Sequence, residues 1–247
     1  VGPHSIDEVT DLLAEHYPVP DTLSPAPEPE KLRSHAPERT QILFYEKEMA
    51  QAQVRLEFAV GEHNETNLPA AQLHNEYFAG GMAGLVFQEL REARALAYSA
   101  WGNFFPASRP GDENILVGAI GCQADKTIEA VHAFVELLSD MPINQNRWDS
   151  AQDALESAYR TNHVKFRYVP SSVYDWTQLG LSQDPRKTRF PVIEGATLET
   201  LKTFYQKQIQ PRPILISIIG DPKRIDLQAL EKIGPLEKVT QADLFTR

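Results

Sequence analysis

The 247 residues carry 24 basic and 34 acidic side chains for a formal net charge of −10, and 42% are hydrophobic and 23% charged. That is the balance of an ordinary globular protein with enough chain for a substantial core, in one domain or two small ones. The acidic excess argues against nucleic acid as a partner, since phosphate binding needs clustered Lys and Arg, and no apolar run approaches the roughly 20 residues that span a bilayer.

In chain order, Val1-Gly2-Pro3 opens the sequence with no initiator Met and no signal peptide, as in a processed product or a fragment. Ile6, Val9, Leu12, Leu13 and His16 predict a short helix over 6–16. Seven of the 18 prolines fall before residue 40, and six of them punctuate 18–38. Residues 1–40 therefore read as a helix and an extended linker, and 41–247 as the globular domain. Val54, Leu56, Phe58 and Val60 alternate with Arg55, Glu57 and Ala59, which predicts a strand with one buried face, and Ile42 to Tyr45 its neighbour. Residues 68–94 predict a long helix that Gly80-Gly81 and Gly84 weaken or break in two.

Strands at 96–105 and 114–121 flank Arg109-Pro110-Gly111-Asp112, a turn signal that makes them a hairpin. Helical patterns follow over 125–140, from Trp148 to about 168 before Pro170, from Tyr174 to Leu181, and through Leu198, Leu201, Phe204, Tyr205 and Ile209. The apolar run Ile214 to Ile219 predicts a fully buried strand, and Ile225 to Ile233 a last helix. This order fits an α+β domain with helices packed on one face of a mainly antiparallel sheet.

One stretch carries more than fold. Ala83, Val86, Phe87, Leu90 and Ala93 form an apolar helical stripe, and a strand begins at Leu96. Arg91 lies about 100° from the stripe centre at 3.6 residues per turn, and Tyr98 follows past the helix end. Phe87-Gln88-Glu89-Leu90-Arg91-Glu92 with Leu96-Ala97-Tyr98-Ser99, led by Asn75 to Met82, resembles the Arg/Tyr motif in the non-catalytic half of pitrilysin/insulysin-type zinc metallopeptidases. The resemblance extends more weakly over 41–231 through the order of elements. It implies a metallopeptidase-like α+β roll, with Arg91 and Tyr98 contacting peptide substrate across a chamber from the zinc of a catalytic half. Large members of this style resemble bacterial envelope or periplasmic enzymes, so periplasm or cell envelope is the expected compartment.

The family's metal motif, H-x-x-E-H, is missing. The two Glu-His pairs are Glu15-His16 and Glu62-His63, and Leu12 and Ala59 stand where the first His would be needed. The chain is therefore expected to hold no catalytic residue and no cofactor of its own. Zinc is expected in an H-x-x-E-H domain of the same polypeptide or of a partner subunit. Arg94 is the runner-up to Arg91, and without the resemblance both are ordinary helix-end cations.

Other candidates read as structure. Gly80-Gly81-Met82 lacks any phosphate-loop pattern and reads as a helix interruption. His74, His132 and His163 read as members of solvated helix faces, as do Asp149, Asp153 and Glu156. Cys122, the single cysteine, reads as packed and not nucleophilic. Two functions compete: the non-catalytic half of a zinc peptidase that binds peptide and completes the active site, or an inert scaffold with the same fold.

Overall fold

The computed structural model describes every residue except 1, 18, 19, 21, 26, 29, 32, 34–36, 211 and 245–247. Much of the predicted linker at 18–38 thus lies outside the described residues. The elements are α1 (Ile6–His16), β1 (Gln41–Glu46), β2 (Gln51–Glu62), α2 (Leu68–Ala79), β3 (Ala97–Phe105), β4 (Glu113–Gln123), α3 (Thr127–Ser139), α4 (Gln145–Thr161), α5 (Val169–Gln178), α6 (Arg186–Glu194), α7 (Leu198–Phe204), β5 (Leu215–Gly220), α8 (Leu227–Glu231), β6 (Leu236–Val239) and α9 (Gln241–Leu244). Helix α1 starts where a cap is written into the sequence. The Ser5 hydroxyl accepts from the Glu8 N–H at 3.2 Å, and the Glu8 carboxylate accepts from the Ser5 N–H at 2.7 Å, so two orphan donors are satisfied. None of its residues is buried.

The strands form one sheet in the order β3-β4-β2-β5-β1-β6. β3–β4, β4–β2 and β2–β5 are antiparallel, while β5–β1 and β1–β6 are parallel. The mainly antiparallel α+β class holds. β1 and β2 are not neighbours, however, because β5 lies between them and pairs with both. Strands two positions apart stand roughly 10 Å from each other. The connection at 47–50 is long enough to bridge that gap, so proximity in sequence did not make the two strands adjacent.

Helices cover one face. Ile42, Phe44, Val54, Leu56, Leu116, Ile120, Ile216 and Ile218 point into it and are essentially inaccessible. Tyr77 and Phe78 of α2, Phe134 of α3 and Trp148 of α4 pack against the same core. Gly102 and Gly118 are cross-strand partners, and a β-carbon at Gly118 would run into the Phe134 ring. The missing side chains make the trough in which α3 sits. On the opposite face Trp101 and Phe105 stay partly exposed. This is also why β5 is not fully buried: Ile216 and Ile218 are covered, but Ile219 is 40% exposed.

The glycines do break the long helix: α2 ends at Ala79, and a 3-10 turn at Gly81–Ala83 precedes the second piece. The hairpin turn is as predicted, with Gly111 at φ +85° and the Asp112 N–H donating to the Arg109 carbonyl. Helix α4 stops at Thr161, short of the predicted 168, where Asn162 turns to extended backbone, so Pro170 is not its terminator. Pro170 instead lies in the first turn of α5, where a missing N–H costs nothing. Helix α6 and strand β6 have no counterpart among the predicted elements.

His74 corrects the sequence reading outright. It is fully buried, stacked on Phe78 with centroids 5.3 Å apart and tilted against Phe204 at 5.5 Å. The neighbouring Asn75 amide is committed to the backbone of Phe104 on both sides, at 2.9 and 2.7 Å. Among the described residues neither nitrogen of the His74 ring has a hydrogen-bond partner. Burial pushes its imidazole down to about 4. His132 and His163 are exposed, as expected.

Candidate functional site

The second piece of the broken helix is wound unusually. Phe87–Ala93 forms a π-helical turn, the wider winding that recurs at functional sites. Its end is closed by the Leu96 N–H donating to the Leu90 carbonyl at 3.0 Å. That closure needs a left-handed residue, and Ala95 takes it with φ +50°, the only non-glycine among the described residues to do so. The chain then turns directly into β3.

Arg91 stands in the last turn. Its guanidinium lies over the Phe87 ring, 4.9 Å from the centroid, with Nε 3.9 Å from Glu92 Oε1. Its side chain is half exposed. The stack fixes the plane of the fork without using its N–H donors, and a charge pair that loose and that wet contributes little.

Tyr98 is aimed by an irregularity in the strand. Ala97 pairs with Cys122 and Ser99 with Gly121, so Tyr98 is the extra residue of a β-bulge. Bulges re-aim a side chain and locally interrupt the ladder. The ring is 56% exposed, and its phenol oxygen accepts a hydrogen bond from Gln123 Nε2 at 3.4 Å. A notch of about 140 Å³ lies alongside, lined by the Ala95–Tyr98 stretch, Gln123 and Lys126. Gln123 belongs to β4, far from the motif in sequence, and nothing in the local pattern marks it.

Arg94 is occupied differently: its guanidinium donates to Glu136 of α3 at 3.0 Å. That contact ties the junction to the helical layer and separates the two arginines by task. Cys122 is buried, its thiol 3.8 Å from the Thr127 hydroxyl, and burial pushes it up. A thiol in that setting packs and does not attack.

Neither Glu-His pair assembles a zinc donor set. His63 Nε2 lies 3.8 Å from Glu65, whose carboxylate is held in a fork by Arg189 at 2.5 and 2.8 Å. Glu15 and His16 sit on the exposed α1. Among the described residues no three His, Cys, Asp or Glu side chains gather as metal ligands, and no helix is long and apolar enough to cross a membrane. What the junction offers is a stacked guanidinium and a phenol, both partly exposed, able to donate hydrogen bonds to carbonyl or carboxylate oxygens.

Comparisons with known proteins converge on one fold. The peptidase M16 inactive domain from Pseudomonas fluorescens superposes with a TM-score of 0.68 at 17% identity, over 81% of this chain and 48% of that one. A protease from Helicobacter pylori gives 0.66 at 15% identity, over 89% and 53%. A chain of Complex III2 from Candida albicans gives 0.62 at 14% identity, over 94% and 57%. The chain thus spans about half the length of the solved structures it matches. No curated protein sequence matches it. The family model for the peptidase M16 inactive domain matches residues 1–155, more than half of the sequence. With that match and the six-stranded fold, the chain belongs to the peptidase M16 inactive-domain family.

Proposed function

We propose that this chain is the non-catalytic half of a zinc metallopeptidase. It binds extended peptide through Arg91 and Tyr98 and completes the active site of an H-x-x-E-H domain, in the same polypeptide or in a partner subunit. Zinc belongs to that other domain. The observation that carries the reading is the junction itself: a π turn, a left-handed Ala95 and a bulge together present a cation and a phenol to solvent. A peptide carbonyl under attack develops negative charge, and a phenol donor placed on it lowers the barrier. A guanidinium fork suits backbone carbonyls already present in the bound substrate.

The test is kinetics on the peptidase reconstituted with its H-x-x-E-H half. Tyr98→Phe should lower kcat/KM by on the order of 10²–10³ with unchanged melting, because only the donor is lost. Arg91→Ala should act mainly by weakening peptide affinity. The competing reading is an inert scaffold of the same fold, which the likeness to a chain of a Complex III2 assembly favours. Wild-type turnover in both variants would decide for the scaffold.

A further inference from the structure

Tyr98 poses a problem that the peptide-binding role does not solve. As the bulged residue it has no cross-strand partner of its own, and more than half of its surface is exposed. A phenol intended as a directed donor needs its ring held and its hydrogen kept free. Sheet packing supplies neither here.

We propose that Gln123 is the positioning residue that does both. This rests on the reading that Tyr98 meets the substrate. Gln123 closes β4 beside the bulge, and its Nε2 donates to the phenol oxygen at 3.4 Å. A phenol has one hydrogen to give and lone pairs to receive with. A donor approaching the oxygen occupies a lone pair and leaves the hydrogen for a peptide carbonyl. It also polarises the O–H bond, which strengthens the phenol as a donor. Lys126, the other polar group of the notch, pairs with Glu129 at 3.1 Å and is committed elsewhere. Among the described residues the Gln123 amide N–H₂ makes no other hydrogen bond.

Two substitutions separate holding from polarity. Gln123→Leu removes the contact. Gln123→Glu replaces the donor with an acceptor, so the phenol would give its hydrogen to the carboxylate and lose it to the substrate. In the 247-residue chain without substrate, NMR of ¹³C-labelled tyrosine rings should show the Tyr98 signals move and sharpen in Gln123→Leu. In the reconstituted peptidase acting on fluorescein-labelled casein, Gln123→Glu should lower kcat/KM by on the order of tenfold, the worth of one such hydrogen bond. It should have no further effect in a Tyr98→Phe background.

Unchanged Tyr98 signals in Gln123→Leu would overturn the holding role. Full activity of Gln123→Glu beside an impaired Tyr98→Phe would overturn the polarity, because the phenol would then serve the substrate equally well beside an acceptor at position 123. Full activity of Tyr98→Phe would instead defeat the peptide reading, and the ring measurement would still decide whether Gln123 holds Tyr98.

Discussion

The helix end at Phe87–Ala93 and the one at Tyr205–Ile209 are both wound as π turns ahead of a strand, and they spend their side chains in opposite ways. At the second, Tyr205 is buried. Its hydroxyl donates to the Leu138 carbonyl at 3.1 Å and accepts from the Met141 N–H at 2.9 Å, and Gln210 donates to the Ser139 carbonyl at 2.9 Å. The Tyr205 hydroxyl and the Gln210 amide are thus both tied to the end of α3. At the first, Leu90 alone is buried, and Arg91 and Tyr98 face outward. The shared winding is therefore not what makes a site. A π turn redirects the chain, and function depends on whether the redirected groups are satisfied by the protein or left for something else.

The comparison can be broken most directly by exchanging the consequences of two matched substitutions. Tyr98→Phe should cost activity by the 10²–10³ given above and leave Tm unchanged. Tyr205→Phe should do the reverse. It strands a buried N–H and weakens the hold on a carbonyl, at a cost of about 1–3 kcal/mol, read as a lowered denaturation midpoint with activity retained once folded. A stability loss in Tyr98→Phe as large as that in Tyr205→Phe would erase the distinction.

His74 sharpens the second end by pH. It packs against Phe204, which leads into the buried π turn. Its folded value of about 4 lies below the ordinary 6.5 because burial disfavours the cation. The unfolded chain then binds a proton that the native state refuses. The His74 contribution is complete above pH 6.5 and is lost as pH falls from 6.5 to about 4. At 1.36 kcal/mol per unit the loss reaches roughly 3 kcal/mol. Urea titrations across that range should show it, and His74→Phe should flatten the dependence in that window.

Smaller effects address the first end. Ala95 holds a left-handed conformation that costs an L-residue roughly 1–2 kcal/mol, against the extra entropy a glycine loses on folding. Ala95→Gly should therefore raise stability by about 0.5–1 kcal/mol, checked by thermal melting, and its kinetics would show whether the strain aims Tyr98. The smallest expected change is Arg94→Ala. Its pair with Glu136 is partly exposed on both sides, so about 0.5 kcal/mol of stability and near wild-type kinetics are expected. A large activity loss there would move the site from Arg91 to Arg94.

Much of this was legible in the sequence, in proportion to how local the cause is. The alternation in β2 and the Pro-Gly turn at 110–111 are decided by residues within a few positions of one another, and they fell where expected. Helix α6 was not legible because Pro191 stands inside it and argues for a loop on local grounds. β6 is four residues long and exists only because β1 offers an edge. His74 read as polar surface because α2 is buried on more than one side, which a single apolar stripe does not announce. At the site, Arg91 and Tyr98 were readable as a motif. The bulge and Gln123 were not, because both depend on which residue of another strand lies opposite.

The placement of β5 has a consequence in time. β1 leaves the ribosome well before both strands it pairs with, β5 and β6, which lie beyond residue 214. Until then the edge of β2 that β5 will occupy and both edges of β1 stand open. Only the trio β2, β4 and β3 can close as it is made. Non-local strand pairing is slow and leaves unpaired edges exposed meanwhile. A nascent chain stalled before Leu215 would present those edges to its neighbours, so β5 and β6 act as the clasp that takes this fold out of reach of aggregation.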